Sequence, residues 1–352
     1  MENQEQCIKK RNVWLDIFRY FLVFLVVCIH YNKTIFGISI LPLTRIAVPM
    51  FFMISGFYMY GKTKEEEIKK SQKAIKRNAI YLLIGFAAVL CFNFLINLTN
   101  GTGIKSIFLS LFNPDNISNF IFLSLLPKMS CAVPMWFLAA IFSLSVFHYF
   151  LVKYDLTKLY KILIPTLIVL FLYPMFCNVF FSSCYIPSEY TRNWIFTGIP
   201  CFGIGYLLSR FLKTKDNNKC FWGYLYVVCF IIFWFASYLE NYLLGNTSCY
   251  YVSSLIACVC LLLFFDFLFK RKPTNFEKKV SNFFYNWIGA GGSFYIYIFH
   301  GLLGTLLQKM FLLNGFYWNI IIFVTCFIFY ELIFCTIKFL KDKKNNVEKP
   351  NS

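Results

Sequence analysis

Residues 13–31, VWLDIFRYFLVFLVVCIHY, carry three ionisable side chains in a segment that is otherwise apolar enough to span a membrane. Asp16 and Arg19 have the i,i+3 spacing of a helical ion pair, and His30 follows Arg19 by eleven residues, close to three full turns. All three side chains therefore lie on one stripe, which we expect to face the protein interior or a hydrated cavity, because ionisable groups facing lipid are costly. A basic group towards the cytoplasmic end of the stripe and an imidazole further out suggest a polar track across the bilayer, whereas the alternative is a structural ion pair with an interfacial histidine.

The elements that must position this stripe follow from composition. The chain has 352 residues, of which 59% are hydrophobic and only 14% are charged. Continuous apolar runs of about 20 residues predict membrane-spanning helices rather than strands. We therefore predict an all-α polytopic membrane protein with about ten spans, at 13–32, 43–60, 79–98, 132–152, 159–181, 194–212, 221–243, 249–269, 287–308 and 317–339.

Basic residues predict the orientation of these spans. Of the 34 Lys and Arg residues, 27 fall in the termini and alternate connections that we assign to the cytoplasm, including the loop 61–78. Both termini should be cytoplasmic, with short tails at 1–12 and 340–352, and the whole chain 1–352 should form a single membrane domain. The net charge of +18 is explained by this topology, so we expect no nucleic-acid partner. Segment 104–127 is interrupted by NPDN and is interpreted as an interfacial or re-entrant piece.

The ordered motifs of the chain resemble the acyltransferase-3 family of integral membrane acyltransferases. Arg19, ten residues and then His30 match that family's R-x10-H pattern, preceded by its typical Leu-Asp in WLDIFR. Later segments are similar to further spans of the family, and the last two resemble its compact branch that includes the membrane part of VanT-type serine racemases. These segments are RIAVPMFFMISGFYMYGK (45–62), KAIKRNAIYLLIG (73–85), VPMWFLAAI (133–141), TRNWIFTGIPCFGIGYLL (191–208) and SFYIYIFHGLL (293–303).

The resemblance implies transfer of an acyl group, usually acetyl, from cytoplasmic acetyl-CoA to a hydroxyl or amine of an envelope glycan, lipid or small molecule. His30 would be the general base, and Arg19 would steady the donor, oriented by Asp16. Asp16 and His30 are about 21 Å apart along a straight helix, so a direct dyad of the two would need a broken helix. An acyl-histidine intermediate is the alternative chemistry for His30.

Further site residues are expected at both membrane faces. Basic residues at the cytoplasmic mouth are candidates for the donor phosphates, although they also suit a purely topological role; these are Lys73, Lys76 and Arg77. Candidates for the acceptor or the oxyanion are Arg45, Ser55, Trp136, Arg192, His300 and Glu331. The alternatives are headgroup contacts for the two arginines, helix packing for Ser55, an aromatic belt for Trp136, a structural histidine for His300 and a paired carboxylate for Glu331.

The expected partners are acyl-CoA as co-substrate, the envelope acceptor and the lipid bilayer of a bacterial cytoplasmic membrane. No tightly bound cofactor and no metal are expected, because no HExxH or Walker pattern occurs. The competing function is a polytopic transporter or flippase for an envelope precursor. Carriers more often show matched pairs of broken helices in two halves, and no such pair is seen here.

Overall fold

The computed structural model describes residues 12–31, 33–99, 105, 136–180, 192–214, 220–243, 251–271, 273–288, 291–311 and 315–347. Helices dominate these ranges, with a single short hairpin among them. In chain order the elements are α1 Val13–His30, β1 Thr34–Ile35, β2 Ile38–Ser39, α2 Leu41–Thr44, α3 Ala47–Met59, α4 Lys64–Thr99, α5 Trp136–Lys153, α6 Tyr160–Phe180, α7 Ile199–Thr214, α8 Cys220–Leu243, α9 Val252–Lys270, α10 Asn275–Phe283, α11 Gly292–Met310 and α12 Tyr317–Val347. One-turn π-helical segments, Trp194–Gly198 and Phe284–Ile288, precede α7 and follow α10.

The all-α membrane architecture predicted from composition is confirmed. Eight ranges within the described residues are long and apolar enough to cross a membrane, and they begin with Val13–His30 and end with Tyr317–Thr336. Helices α6 and α11 occupy the remaining two predicted ranges, 159–181 and 287–308. The count of ten spans and the cytoplasmic termini stay predictions.

The chain divides into two compact units. The first unit joins both ends of the chain, Met1–Ser39 and Lys272–Ser352, and the second is Ile40–Arg271. In the first unit α1 packs against α11 and α12. Its contacts are largely aromatic: the ring of Tyr20 meets those of Phe284 and Phe327 edge-on, and Phe24 does the same with Phe323. The single membrane domain expected from the sequence stays a prediction.

The second unit is built around very close packing of α3 on α7. A Cβ atom on Gly56 would overlap the carbonyl oxygen of Phe202, and one on Gly205 would overlap that of Met53. Because both backbones approach this closely, only glycine fits at either position. Between α4 and α5, the buried Asn78 amide donates to Ser145 Oγ at 2.8 Å, which satisfies two polar groups inside apolar helices.

Several boundaries differ from the prediction. The loop expected at 61–78 is mostly helical, because α4 already begins at Lys64 with three glutamates in its first turn, where the helix dipole favours negative charge. The span expected at 43–60 is broken at Arg45 and Ile46, between α2 and α3. Helix α12 runs to Val347, into the expected tail 340–352, and residues 1–11 and 348–352 of the tails lie outside the described residues. Segment 104–127 also lies outside them, apart from Lys105.

Candidate active site

Helix α1 carries the stripe of ionisable residues without a break. Asn12 caps its N-terminus by accepting a hydrogen bond from the backbone N–H of Leu15 at 3.1 Å, and the helix ends at His30. On the stripe, Asp16, Val23 and Val26 are buried, and Arg19 and His30 are partly exposed. The stripe thus faces protein over most of its length. Since the helix is continuous, Asp16 and His30 stay at opposite ends and form no direct dyad.

Asp16 is the centre of a polar cluster at the start of α1. Its Oδ1 lies 2.5 Å from Nη1 of Arg19, in the i,i+3 ion pair that the spacing indicates. Its Oδ2 accepts a 2.8 Å hydrogen bond from the hydroxyl of Tyr285, which belongs to the π-helical turn after α10. Both carboxylate oxygens are therefore engaged, and the carboxylate can hold the guanidinium in one orientation. Sequence reasoning did not find Tyr285, because no local pattern connects it to a residue 269 positions earlier.

A second contact fixes the same end of α1. The indole Nε1 of Trp14 donates to Oε1 of Glu277 at 2.8 Å. Glu277 is also the third residue of α10, where it forms a capping box with Thr274. One buried carboxylate thus caps α10 and anchors the residue two positions before Asp16, which holds the cluster in register.

The C-terminal end of α1 brings two histidines together. The imidazole rings of His30 and His300 have centroids 5.4 Å apart and planes inclined by 41°. His300 lies on α11, is fully buried and has its Nδ1 2.6 Å from the carbonyl oxygen of Tyr297. Its Nε2 is buried and has no hydrogen-bond partner in the described part of the chain. The structure therefore places this sequence-predicted candidate next to the expected general base.

Tyr31 joins the two helices at this point. Its hydroxyl donates to the backbone carbonyl of His300 at 2.7 Å and also lies 3.3 Å from that of Gly301. The ring rests on Gly304, where any Cβ atom would overlap Cζ and the hydroxyl oxygen of Tyr31. Tyr31 and Gly304 were missed from the sequence, although each is close in sequence to a candidate histidine. Their position there was the only available signal.

Glu331 belongs to the same unit. It is half-buried on α12, and its Oε1 has no hydrogen-bond partner within the described residues. The neighbouring Tyr330 donates to the carbonyl of Ile288 at 3.2 Å, and its ring stacks on Tyr295 with centroids 5.5 Å apart. Pairing with a neighbour is the alternative role that the sequence allows for Glu331. Oε1 of Glu331 makes no such pair within the described residues.

The donor candidates lie in the second unit, on α4. Lys73, Lys76 and Arg77 are all exposed and fall on one face of the helix, since their spacings are three and four residues. Arg77 Nε approaches Oδ1 of the adjacent Asn78 at 3.4 Å, which is a weak contact. This face is accessible to an anionic ligand.

The remaining candidates of the second unit have varied surroundings. Ser55 donates its hydroxyl to the carbonyl of Phe51 at 2.8 Å, one turn earlier in α3. Trp136 begins α5, and the centroid of its ring lies 6.2 Å from the centroid of the Phe52 ring. Arg45 is half-buried in the turn between α2 and α3, and Arg192 is half-buried just before the π-helical turn at Trp194.

Comparison with known proteins gives one match. A family model described as an acyltransferase domain, Acyl_transf_3, matches residues 12–340, which is nearly the whole chain. Neither the comparison with curated proteins nor that with solved structures found a match.

Proposed function

We propose, because this chain belongs to the acyltransferase-3 family of membrane acyltransferases, that it transfers an acyl group from cytoplasmic acyl-CoA to the cell envelope. The acyl group is acetyl, and the acceptor is a hydroxyl or amine of an envelope glycan, lipid or small molecule. The setting is a bacterial cytoplasmic membrane. The observation that carries the proposal is the arrangement on α1, where a fixed Asp16–Arg19 pair and His30 occupy the two ends of one protein-facing stripe.

In this reaction His30 is the general base. It removes the proton from the acceptor hydroxyl while the acceptor oxygen attacks the thioester carbonyl of acetyl-CoA. The new C–O bond forms, the C–S bond breaks, and the proton passes from His30 to the departing CoA sulfur. A positioned base of this kind typically contributes about 10²–10⁴-fold to the rate.

Arg19 is proposed to bind the donor. A guanidinium presents five N–H donors in a rigid fork, which suits the carbonyl groups and anions of an acyl-CoA arm. Its pairing with Asp16, itself held by Tyr285, fixes the direction of that fork before the substrate arrives. Lys73, Lys76 and Arg77 are proposed to bind the donor phosphates, supported by their exposure on one face of α4.

The test uses the purified full-length chain, radiolabelled acetyl-CoA and bacterial envelope extract. We expect the wild type to label an acceptor and release free CoA, and His30→Ala to lose both by about 10²–10⁴-fold while retaining its elution profile and melting temperature. A fully active His30→Ala variant would show that His30 is not the base. A wild-type protein that moves solute across vesicles without consuming acetyl-CoA would favour a carrier instead.

A further inference from the structure

The hydrogen bond of His300 defines which of its ring nitrogens carries the proton. Nδ1 lies 2.6 Å from the carbonyl oxygen of Tyr297, three residues earlier in α11. A carbonyl oxygen only accepts hydrogen bonds, so Nδ1 must be the N–H donor. The neutral imidazole then has its lone pair on Nε2. His300 is thus an acceptor at Nε2.

This acceptor is buried and unused. Nε2 of His300 has no hydrogen-bond partner among the residues that the structure describes, and the side chain is 0% exposed. Buried polar atoms almost always have a partner, and a native exception calls for an explanation. The missing partner must be a hydrogen-bond donor, because the lone pair can only accept.

The ring next to His300 is that of His30, with 5.4 Å between centroids. His30 is the last residue of α1 and is partly exposed. Tyr31 holds the backbones together through the carbonyl of His300 itself, which keeps the two rings adjacent. Catalytic hydrogen bonds are often long in a substrate-free enzyme and tighten when the substrate binds.

We infer that His300 is a positioning residue for His30, an inference that rests on the proposed function. One ring N–H of His30 donates to Nε2 of His300, which leaves the lone pair of the other ring nitrogen facing the acceptor hydroxyl. His300 thus has the role that the aspartate has in a Ser-His-Asp triad, which is to orient the catalytic histidine, but it does so as a neutral imidazole.

The proton balance follows from this arrangement. When the acceptor oxygen attacks the thioester, its proton moves to the lone pair of His30, which becomes an imidazolium. The hydrogen bond to Nε2 of His300 then becomes charge-assisted and stronger, so it stabilises the transition state more than the ground state. The proton leaves His30 for the CoA sulfur, and both histidines return to their starting forms.

Two matched variants separate this role from a structural one. In His300→Asn the amide nitrogen takes the place of Nδ1 and can still donate to Tyr297, but nothing replaces Nε2. In His300→Gln the amide oxygen falls near the place of Nε2 and can accept from His30, whereas the bond to Tyr297 is lost. If His300 positions His30, the His300→Gln variant should be more active than His300→Asn. If His300 is only structural, His300→Asn should be the more active of the two.

The experiment measures acetyl transfer from radiolabelled acetyl-CoA to bacterial envelope extract by the full-length wild type, His30→Ala and both His300 variants. We expect the maximal rate of His300→Asn to fall about 10²-fold, and that of His300→Gln to stay within about tenfold of wild type. The half-saturating amounts of acetyl-CoA and of extract should be unchanged in both.

Other outcomes overturn the inference. A His300→Asn variant as active as wild type, or more active than His300→Gln, assigns the residue to structure. A larger half-saturating amount of extract with an unchanged maximal rate means that His300 binds the acceptor directly. These results leave the proposed function intact as long as the wild type transfers label and His30→Ala does not. An inactive wild type contradicts the proposed function itself, and with it the inference.

Discussion

The hydroxyl of Tyr31 and the backbone carbonyl of His300 are joined by a 2.7 Å hydrogen bond between residues 269 positions apart in the chain. This bond places the end of α1 beside the middle of α11. The side chains of His30 and His300 are adjacent because their backbones are fixed here. The contact therefore sets where the side chain of the proposed base lies relative to His300.

Replacing Tyr31 by Phe should reduce the transfer rate about tenfold, because a misplacement of about 1 Å can cost up to about 10²-fold in rate. The ring still packs on Gly304, so the loss in stability should be only about 1 kcal/mol, the typical net value of one hydrogen bond. Transfer from radiolabelled acetyl-CoA and thermal unfolding measure the two effects. A Tyr31→Phe variant with full activity would show that the bond does not position His30.

Gly304→Ala should be more damaging than Tyr31→Phe, because the added methyl group overlaps the Tyr31 ring and forces it away from α11. We expect a loss of activity of about 10²-fold. The matched control is Gly291→Ala, immediately before the same helix, where a Cβ atom meets no atom of the described residues within 4 Å. Equal losses of activity in Gly304→Ala and Gly291→Ala would contradict the inference that Gly304 leaves room for the Tyr31 ring.

Asp16→Asn removes the charge that orients Arg19 and should lower both activity and melting temperature. Breaking a buried ion pair from one side costs about 3–5 kcal/mol, and partial exposure of Arg19 reduces this figure. Tyr285→Phe removes only one hydrogen bond to the same carboxylate, so we expect a smaller effect in the same direction. The predicted order of activity is wild type, then Tyr285→Phe, then Asp16→Asn. A reversed order would mean that Tyr285 acts independently of Asp16.

Neutralising Lys73 and Lys76 together as glutamines should raise the half-saturating concentration of acetyl-CoA roughly three- to tenfold with little change in maximal rate, since a phosphate contact binds the substrate and its transition state equally. The control is the double variant Lys278→Gln, Lys279→Gln, which removes the same charge from exposed positions of α10. If both double variants raise the half-saturating concentration of acetyl-CoA equally, the basic face of α4 contributes only general electrostatics or topology.

Gly56→Ala should destabilise the second unit strongly, because the new methyl group meets the backbone of Phe202 and cannot be accommodated by a side-chain movement. Ser55→Ala, one residue earlier, should be nearly neutral in stability, since the hydroxyl bonds to the carbonyl of Phe51 in its own helix. Thermal unfolding compares the two. A marked loss of acyl transfer in a stably folded Ser55→Ala variant would indicate that Ser55 contacts the acceptor.

The sequence predicted what depends on local periodicity. The stripe on α1 followed from helical spacing alone, and the ion pair of Asp16 and Arg19 followed with it. The long apolar runs correctly indicated helices, because the backbone in lipid must satisfy its own hydrogen bonds. The functional class came from ordered motifs, and the family match over residues 12–340 confirms it.

The contacts missed from the sequence depend on tertiary packing. Tyr285, Tyr31 and Gly304 gain their importance from helices that meet across hundreds of residues, and no pattern within one helix reveals such partners. The extension of α4 into the expected loop had a different cause. Its charged first turns form local pairs, such as Glu66 with Lys70 at 2.8 Å, and these pairs stabilise a solvated helix where a loop was expected.

A unit assembled from both ends of the polypeptide has a consequence for biogenesis. The ribosome delivers α1 first and α11 almost last, so the candidate histidine pair cannot form until nearly the whole protein has been inserted into the membrane. Unfinished or prematurely terminated chains would contain the proposed base, His30, without His300 beside it.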